Sequence, residues 1–441
     1  MKRIITKRII VTALGCLLGA VSIQAQQKEW TLAQCIEYAL NENIQVRKAG
    51  VSASVGEINL QQAKDNRWPN LNASAGESLG WHQITDVNDV SVLEGSSRTS
   101  LSVGSSVSLF NGFQVQNDIR QAELNYKGLQ YSTAETKESV TLSIMSAFLQ
   151  VLYSEEQVNN SRNQADATRE ELALAKERYA LGAIANSDYL QVKTQLASEE
   201  LTLANAINTL AMAKVTLMQL MELPLDETFE IVRPDIDAII STTPVADAAA
   251  VYDEALIIKP QIKSAEINRE SAVVDLDLAR GGYFPSLSMN AGLGTSLAEA
   301  VAMGTQLKNN FAPSIGLSVS IPIFQNNQNK SSVARARAGI TTAELDELNA
   351  KNQLRKEIEQ ACLDARSAFI SYNAAVNQYE ASLESYNVAE EKFKLGAMNS
   401  VDFLIQKTNM TSSESNLLQV KYELVYSYKI IDFYTGVPLS F

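Results

Sequence analysis

The sequence predicts an α+β membrane protein built by internal duplication, with four strands per chain shared among three copies as one trimeric twelve-stranded β-barrel, continuous with a long α-helical coiled-coil barrel. Three observations predict it: the chain repeats itself at a nearly constant spacing, each repeat holds a long breaker-free stretch of heptads, and each holds two segments of two-residue alternation.

The chain opens with Lys2, Arg3, Lys7 and Arg8, an apolar run from Ile9 to Ile23, and then Gln24-Ala25-Gln26. That layout is a secretory signal peptide over residues 1–25, cleaved after Ala25, so the protein is expected to be exported. Cys16 lies within this segment, where too little apolar sequence precedes it for a good lipoprotein processing site. Cleavage removes four of 37 cations and none of 50 acids, moving the formal charge from −13 to −17, which argues against nucleic acid as a partner. No later stretch approaches the ~20 uninterrupted apolar residues of a spanning helix, so a mature chain that enters a bilayer does so as strands.

The duplication sets the organisation. Ala39-Leu40 and Arg67-Trp68-Pro69 answer to Ala255-Leu256 and Tyr283-Phe284-Pro285 at an offset of 216. Beyond the strands the offset is 214: Leu109-Phe110-Asn111 matches Ile323-Phe324-Gln325, Arg178–Ala183 matches Lys392–Ala397, and Leu223-Pro224 matches Val437-Pro438. The first repeat, 26–225, is expected to hold an opening helix, strands over 71–82 and 99–110, a long helix over 112–180, a tip turn over 181–187 and a return helix over 188–221. A linker with three prolines covers 226–250 and its approach, forming an equatorial collar. The second repeat, 251–441, follows with strands over 287–295 and 313–324, a long helix over 326–395, a tip turn over 396–400 and a return helix over 401–434.

The helices rest on heptads. Ile144, Val151, Val158, Ala165, Leu172 and Tyr179 match Ile358, Ala365, Tyr372, Tyr379, Tyr386 and Phe393, every step being seven residues. Proline is absent from both stretches, and Gly182 and Gly396 mark their ends. At 1.5 Å per residue, a helix from Gly112 to Tyr179 reaches roughly 100 Å, too long for a compact domain. The return helix is about half as long, so a second helix, Asn43–Asn66 or Ala255–Arg280, is expected to stack on its end.

The strands rest on period two. Leu71, Ala73, Ala75, Leu79 and Trp81 alternate with Asn72, Ser74, Gly76, Ser78 and Gly80, Glu77 being the one departure on the apolar side. Leu101, Val103, Val107 and Leu109, then Leu287, Met289, Ala291 and Leu293, then Ile315, Leu317, Val319, Ile321 and Ile323 repeat the pattern. One apolar face against one of Ser, Gly and Asn suits lipid on one side and an aqueous lumen on the other. Loops over Ile84–Ser97 and Ser296–Asn310 are expected to join each pair. Four strands cannot close a membrane barrel, so the copies must share one. A periplasmic coiled-coil scaffold carrying a small soluble sheet is the alternative from a different class.

These residues resemble the TolC family of outer-membrane efflux channels over essentially the whole mature chain. Trp30-Thr31-Leu32 with Ile36–Asn43 is similar to the family's opening helix, Trp68–Leu71 to the start of its first strand, and Leu109–Gly112 and Pro322–Phe324 to its strand-to-helix exits. Leu181–Asp188 and Leu395–Asp402 resemble its periplasmic tip.

The resemblance implies a homotrimer in outer-membrane lipid, a passive conduit from periplasm to exterior. It further implies a tip opened by a periplasmic adaptor (membrane fusion) protein and an inner-membrane transporter, in tripartite efflux or in type I protein secretion. It places Leu181, Gly182, Ala183, Ser187, Leu395, Gly396, Ala397 and Ser400 on the adaptor-contacting surface, and Asp402 where members carry an aperture acid. Ile405 stands where some carry a second. Two readings stand for Asp188 and Asp402: rings of carboxylate that favour cations, or caps on the helices that begin there. Two also stand for Arg178 and Lys392, as pairs for tip acids or as solvated charge. Gly182 and Gly396 are expected at positive φ.

No catalytic, cofactor or metal site is expected. Gly76-Glu77-Ser78-Leu79-Gly80 fits the G-x-S-x-G nucleophile spelling, but it lies in a period-two strand and the single histidine is His82, two residues on. Cys35 and Cys362 lack ligand spacing and histidine partners, and are expected as buried small hydrophobes.

Overall fold

The computed structural model describes residues 29–85, 91–224, 229–237, 240, 247–298 and 310–441, so the expected signal segment and Cys16 lie outside it. The first repeat runs β1 (Glu29–Trp30), α1 (Leu32–Glu42), α2 (Ile44–Asp65), β2 (Asn72–Thr85), β3 (Ser91–Asn111), α3 (Gln114–Ala180) and α4 (Asn186–Leu220). After β4 (Glu230–Ile231), the second runs α5 (Ala248–Ile258), α6 (Pro260–Gly281), β5 (Ser286–Ala298), β6 (Ala312–Ser320), α7 (Gln328–Lys394) and α8 (Ser400–Tyr434). Matched helices have equal lengths: 67 residues for α3 and α7, 35 for α4 and α8, 22 for α2 and α6, and 11 for α1 and α5.

Two compact units are formed. One comprises Gln45–Glu138 and Ala248–Glu359 and carries the sheet, ordered β2-β3-β5-β6 and antiparallel throughout. Pairing of β3 with β5 joins the two repeats, and among the described residues the outer edges of β2 and β6 are unpaired. In register, Val107, Met289 and Leu317 form a row on one face, and Ser108, Ser288 and Ser318 form the adjacent row on the other. Ile315 and Leu317 are 76% and 67% exposed, because none of the described residues covers them. Glu77, the departure on that face, accepts hydrogen bonds from the hydroxyls of Ser97 and Thr99 on the neighbouring strand. The rest of the unit is closed by Leu124, Ile262, Val274, Leu354 and Ile358, and by a buried ion pair from Lys259 Nζ to Glu138 Oε1 at 3.2 Å.

Several boundaries differ from the sequence expectation. Most of the loop expected over Ile84–Ser97 is strand: β2 continues to Thr85 and β3 starts at Ser91, because cross-strand pairing holds even the Ser- and Gly-rich residues extended. β5 likewise runs on to Ala298, while 299–309 lie outside the described residues. β6 stops at Ser320 rather than 324, since Pro322 has no N–H to donate to a ladder. The long helices start at 114 and 328 rather than 112 and 326. Gly112, Phe113, Asn326 and Asn327 all have positive φ (67°, 64°, 50° and 60°), so each strand turns its corner through two left-handed residues. A Cβ at Gly112 would collide with the Gly281 carbonyl oxygen, which explains glycine there. Of the expected linker over 226–250, β4 pairs in parallel with β1 and α5 already begins at Ala248, whereas 225–228, 238–239 and 241–246 lie outside the described residues.

The second unit comprises the described residues of 29–44, 139–247 and 360–441. Its core contains the heptad residues Ile144, Val151, Val158 and Ala165, with Phe148, Leu217, Leu424 and Tyr428. Cys35 and Cys362 are buried, Cys35 in the small apolar face of α1, where burial pushes its thiol pKa up to about 12. Asn43 Nδ2 donates to the Leu220 carbonyl at 2.8 Å, so the residue preceding α2 caps the end of α4. By length and composition α4 is the one described helix that could cross a membrane, yet it carries Asp188, Lys193, Glu199, Glu200 and Lys214.

The long and return helices end alike. At Gly182, Glu222, Gly396 and Gly436 the chain turns through positive φ (72°, 57°, 74° and 75°), with paired bonds closing a Schellman motif each time, as in Leu223 N to Met218 O at 2.9 Å. Three of these turns use glycine and one uses Glu222. Left-handed backbone costs a residue with a Cβ about 1 kcal/mol, so Glu222→Gly is expected to stabilise the protein by about that amount, read as a rise in melting temperature of a few degrees.

Candidate functional site

The two helical tips, where α3 turns into α4 and α7 turns into α8, hold every site residue that the sequence singles out. Gly182 N donates to Tyr179 O at 2.9 Å and Ala183 N to Arg178 O at 2.8 Å; Gly396 N and Ala397 N repeat this to Phe393 O and Lys392 O at 3.1 and 2.8 Å. Nothing lies within 4 Å of where a Cβ would sit at Gly182 or Gly396, so backbone conformation alone selects glycine. Leu181 and Leu395 protrude, 84% and 82% exposed, beside exposed Ala183, Ser187 and Ala397. Each turn is clamped by an aromatic stack between its helices: Tyr179 on Tyr189 at 5.5 Å, and Phe393 on Phe403 at 4.6 Å. These pairs are themselves related by the repeat.

Neither aspartate acts as a helix cap. Asp188 caps nothing: the N-cap of α4 is Ala185, which has no side-chain acceptor. Instead the Ser400 hydroxyl faces Asp188 Oδ1 at 2.9 Å and Gln191 Oε1 at 3.1 Å, so the one proton of Ser400 bridges the second tip to the first. Ser400, expected on the exposed adaptor surface, is therefore buried. Asn399, not Asp402, caps α8; its side-chain oxygen accepts from Asp402 N at 2.8 Å, and its amide donates to Asp402 Oδ2 at 2.8 Å. Asp402 stays exposed, as does Ile405. Arg178 and Lys392 form no ion pair with Asp188 or Asp402; their contribution to the turn is through their carbonyls.

Between the tips lies a cavity of about 350 Å³. Its wall mixes Leu174, Ile184, Met398 and Phe403 with Glu171, Arg178, Asp188 and Glu390. Below it, Lys407 is buried against Thr168, Glu171 and Glu199, a cluster that sequence reasoning missed. The available signal was a lysine four residues after Phe403, a core-facing spacing on a helix. Burial raises the pKa of Glu171 despite the attraction of Lys407, with Glu199 and Glu390 adding to the rise. Tyr386, facing the same acids, is pushed up to about 12, chiefly by burial. His82 and Ser78, by contrast, lie on β2, His82 at 3.9 Å from Glu94, and Ser78 sits on no strand-to-helix turn.

A duplicated chain with a four-stranded sheet whose apolar face lies bare, and long helix pairs closed at glycine tips, defines the class of outer-membrane channels that share one barrel among copies. The comparison with known proteins agrees: the chain belongs to the outer membrane efflux protein family, whose model matches residues 35–222 and 251–437. It is 20% identical to the outer membrane efflux protein BepC of Brucella suis biovar 1 (strain 1330), with 96% of this chain and 89% of that one covered. Identity to the outer membrane protein TolC of Escherichia coli (strain K12) is 22%, covering 94% and 84%. The fold is similar to that of the CmeC outer membrane channel of Campylobacter jejuni, with a TM-score of 0.76 at 18% identity over 96% of this chain and 92% of that one. The family is one of channel proteins, and its members are outer-membrane efflux proteins.

Proposed function

We propose that three copies of this chain form a conduit from periplasm to exterior, in which the paired tips are the gate and partner proteins supply the energy. The sheet carries this reading, because among the described residues both of its edges are open and its apolar face is bare, a surface that lipid and further copies would satisfy. The chain acts by opening and closing, with no chemical step of its own.

At the gate, the Ser400–Asp188 hydrogen bond holds the second tip to the first. Asp402, exposed near the turn, supplies the carboxylate that favours cations at the aperture, with Lys392 exposed on the second tip and Arg178 half-buried on the wall of the tip cavity. Protruding Leu181 and Leu395, with Gly182, Ala183, Ser187, Gly396 and Ala397, form the surface for a periplasmic adaptor, itself joined to an inner-membrane transporter.

Mass measured by light scattering on detergent-extracted protein tests the assembly, a trimer being expected; a monomer needing no detergent would overturn it. Conductance in a planar bilayer tests the gate. Ser400→Ala leaves Asp188 without its donor, and a charge-assisted bond of about 1.5 kcal/mol corresponds to a roughly tenfold rise in the open fraction. Unchanged conductance would remove this bond from the gate.

A further inference from the structure

Lys407 is 3% exposed, and three other helices supply what surrounds it. From α3, both carboxylate oxygens of Glu171 lie at 3.2 Å from Nζ, and the Thr168 hydroxyl oxygen also accepts from it. From α4, Glu199 Oε1 lies at 3.7 Å; Glu199 also accepts from Thr168 and, at 2.8 Å, from Gln195 Nε2. From α7, Tyr386 and Glu390 face the same acids, Glu390 being paired with Lys394 at 3.1 Å. Lys407 itself lies on α8, so the cluster ties the return helix of the second repeat to both tip helices of the first.

The charges do not balance. Two part-buried carboxylates share one buried ammonium, and charge withdrawn from water without full compensation is costly. Addition of a single proton to a Glu171 oxygen would leave Lys407 matched by Glu199, with neutral Glu171 still able to accept from Nζ. Solvent protons have a route, since Glu171 also lines the tip cavity.

We propose that Lys407, Glu171, Glu199 and Thr168 form a proton-operated latch: uptake of one proton holds α8 against α3 and α4, and its loss loosens the tip. The direction of Glu171 agrees. Its pKa is raised in the packed state above 4.5, so packing takes up a proton in the window between 4.5 and that raised value. The packed tip is therefore favoured as pH falls into the window, and is progressively disfavoured as pH rises through it. This rests on the reading of the tips as the gate.

Single-channel conductance of reconstituted full-length trimers, from about pH 8 down to about pH 5, tests the latch. Wild type is expected to close progressively as pH falls. Glu171→Gln, which fixes a neutral side chain of the same shape, is expected to keep the low conductance of acid-treated wild type throughout and to lose most of the pH dependence. Lys407→Met leaves two acids facing each other, and is expected to raise the open fraction at neutral pH at least tenfold. Asp402→Ala separates out titration of the exposed aperture acid and is expected to retain the closure at low pH. If channels form and Glu171→Gln keeps the wild-type pH profile, the latch is wrong while the gate reading stands. If the trimers form no channel at any pH, even with Ser400→Ala, the gate reading itself fails. Should Lys407→Met not assemble, the Glu171→Gln profile decides alone.

Discussion

Arginine at position 317 is expected to abolish recovery of assembled trimers from the membrane, whereas arginine at the adjacent position 318 is expected to leave assembly intact. Leu317 lies in the row with Val107 and Met289, on the bare apolar face of the sheet; Ser318 lies in the row with Ser108 and Ser288 on the other. A lipid-facing arginine near the bilayer midplane costs about 2–4 kcal/mol, and a barrel shared by three copies incurs that cost three times. A lumen-facing arginine meets water instead. The check is light scattering of Leu317→Arg and Ser318→Arg in detergent, with fractionation to locate the unassembled chain. Normal assembly of Leu317→Arg with failure of Ser318→Arg would reverse the assignment of the two faces, since residues 317 and 318 differ only in the side to which they point.

Loss of the Lys259 ammonium is expected to have the next largest effect. Lys259 is buried at the start of α6, and Glu138 on α3 is its ion-pair partner. The Lys259→Met variant strands a part-buried carboxylate near Glu135, at a cost of about 3 kcal/mol. The pH dependence has a definite sign. Burial already raises the Glu138 pKa above 4.5, so the folded state prefers the protonated acid and gains stability as pH falls from the raised value toward 4.5. Without Lys259 that pKa rises further. The deficit in thermal melting temperature should therefore be largest at neutral pH and shrink toward pH 5. Adding Glu138→Gln to Lys259→Met is expected to recover most of the loss, because a neutral amide replaces the stranded charge. A deficit that is flat with pH and unaffected by the second substitution would assign Lys259 a packing role through its stem instead.

Much of this molecule can be read from the order of its residues, because periodicity is a local property of the chain. Heptads between Gly128 and Gly182 need no knowledge of the partner helix to specify a long helix, and the same pattern between Gly339 and Gly396 specifies its equal. Alternation of apolar with small polar residues marked the strands, and glycine marked both tip turns, because positive φ is a demand of the backbone itself. Strand ends were less legible. Ser91–Ser97 reads as loop by composition, yet β2 supplies its hydrogen bonds, and propensity in a sheet depends on neighbours.

The chemistry of the tip was the part hidden from sequence. Ser400 and Asp188 are 212 residues apart, and Lys407 lies 236 from Glu171. No local pattern encodes which side chains meet across two helices; that depends on their axial register, set by the whole length of packed seam. Sequence by itself thus determined the elements, their duplication and the two-faced sheet. Tertiary structure alone decided that Asp188 bonds a serine rather than capping a helix, and that a buried lysine gathers two acids beneath the gate, since hydrogen bonds and ion pairs form only where folding brings the partners within about 3 Å.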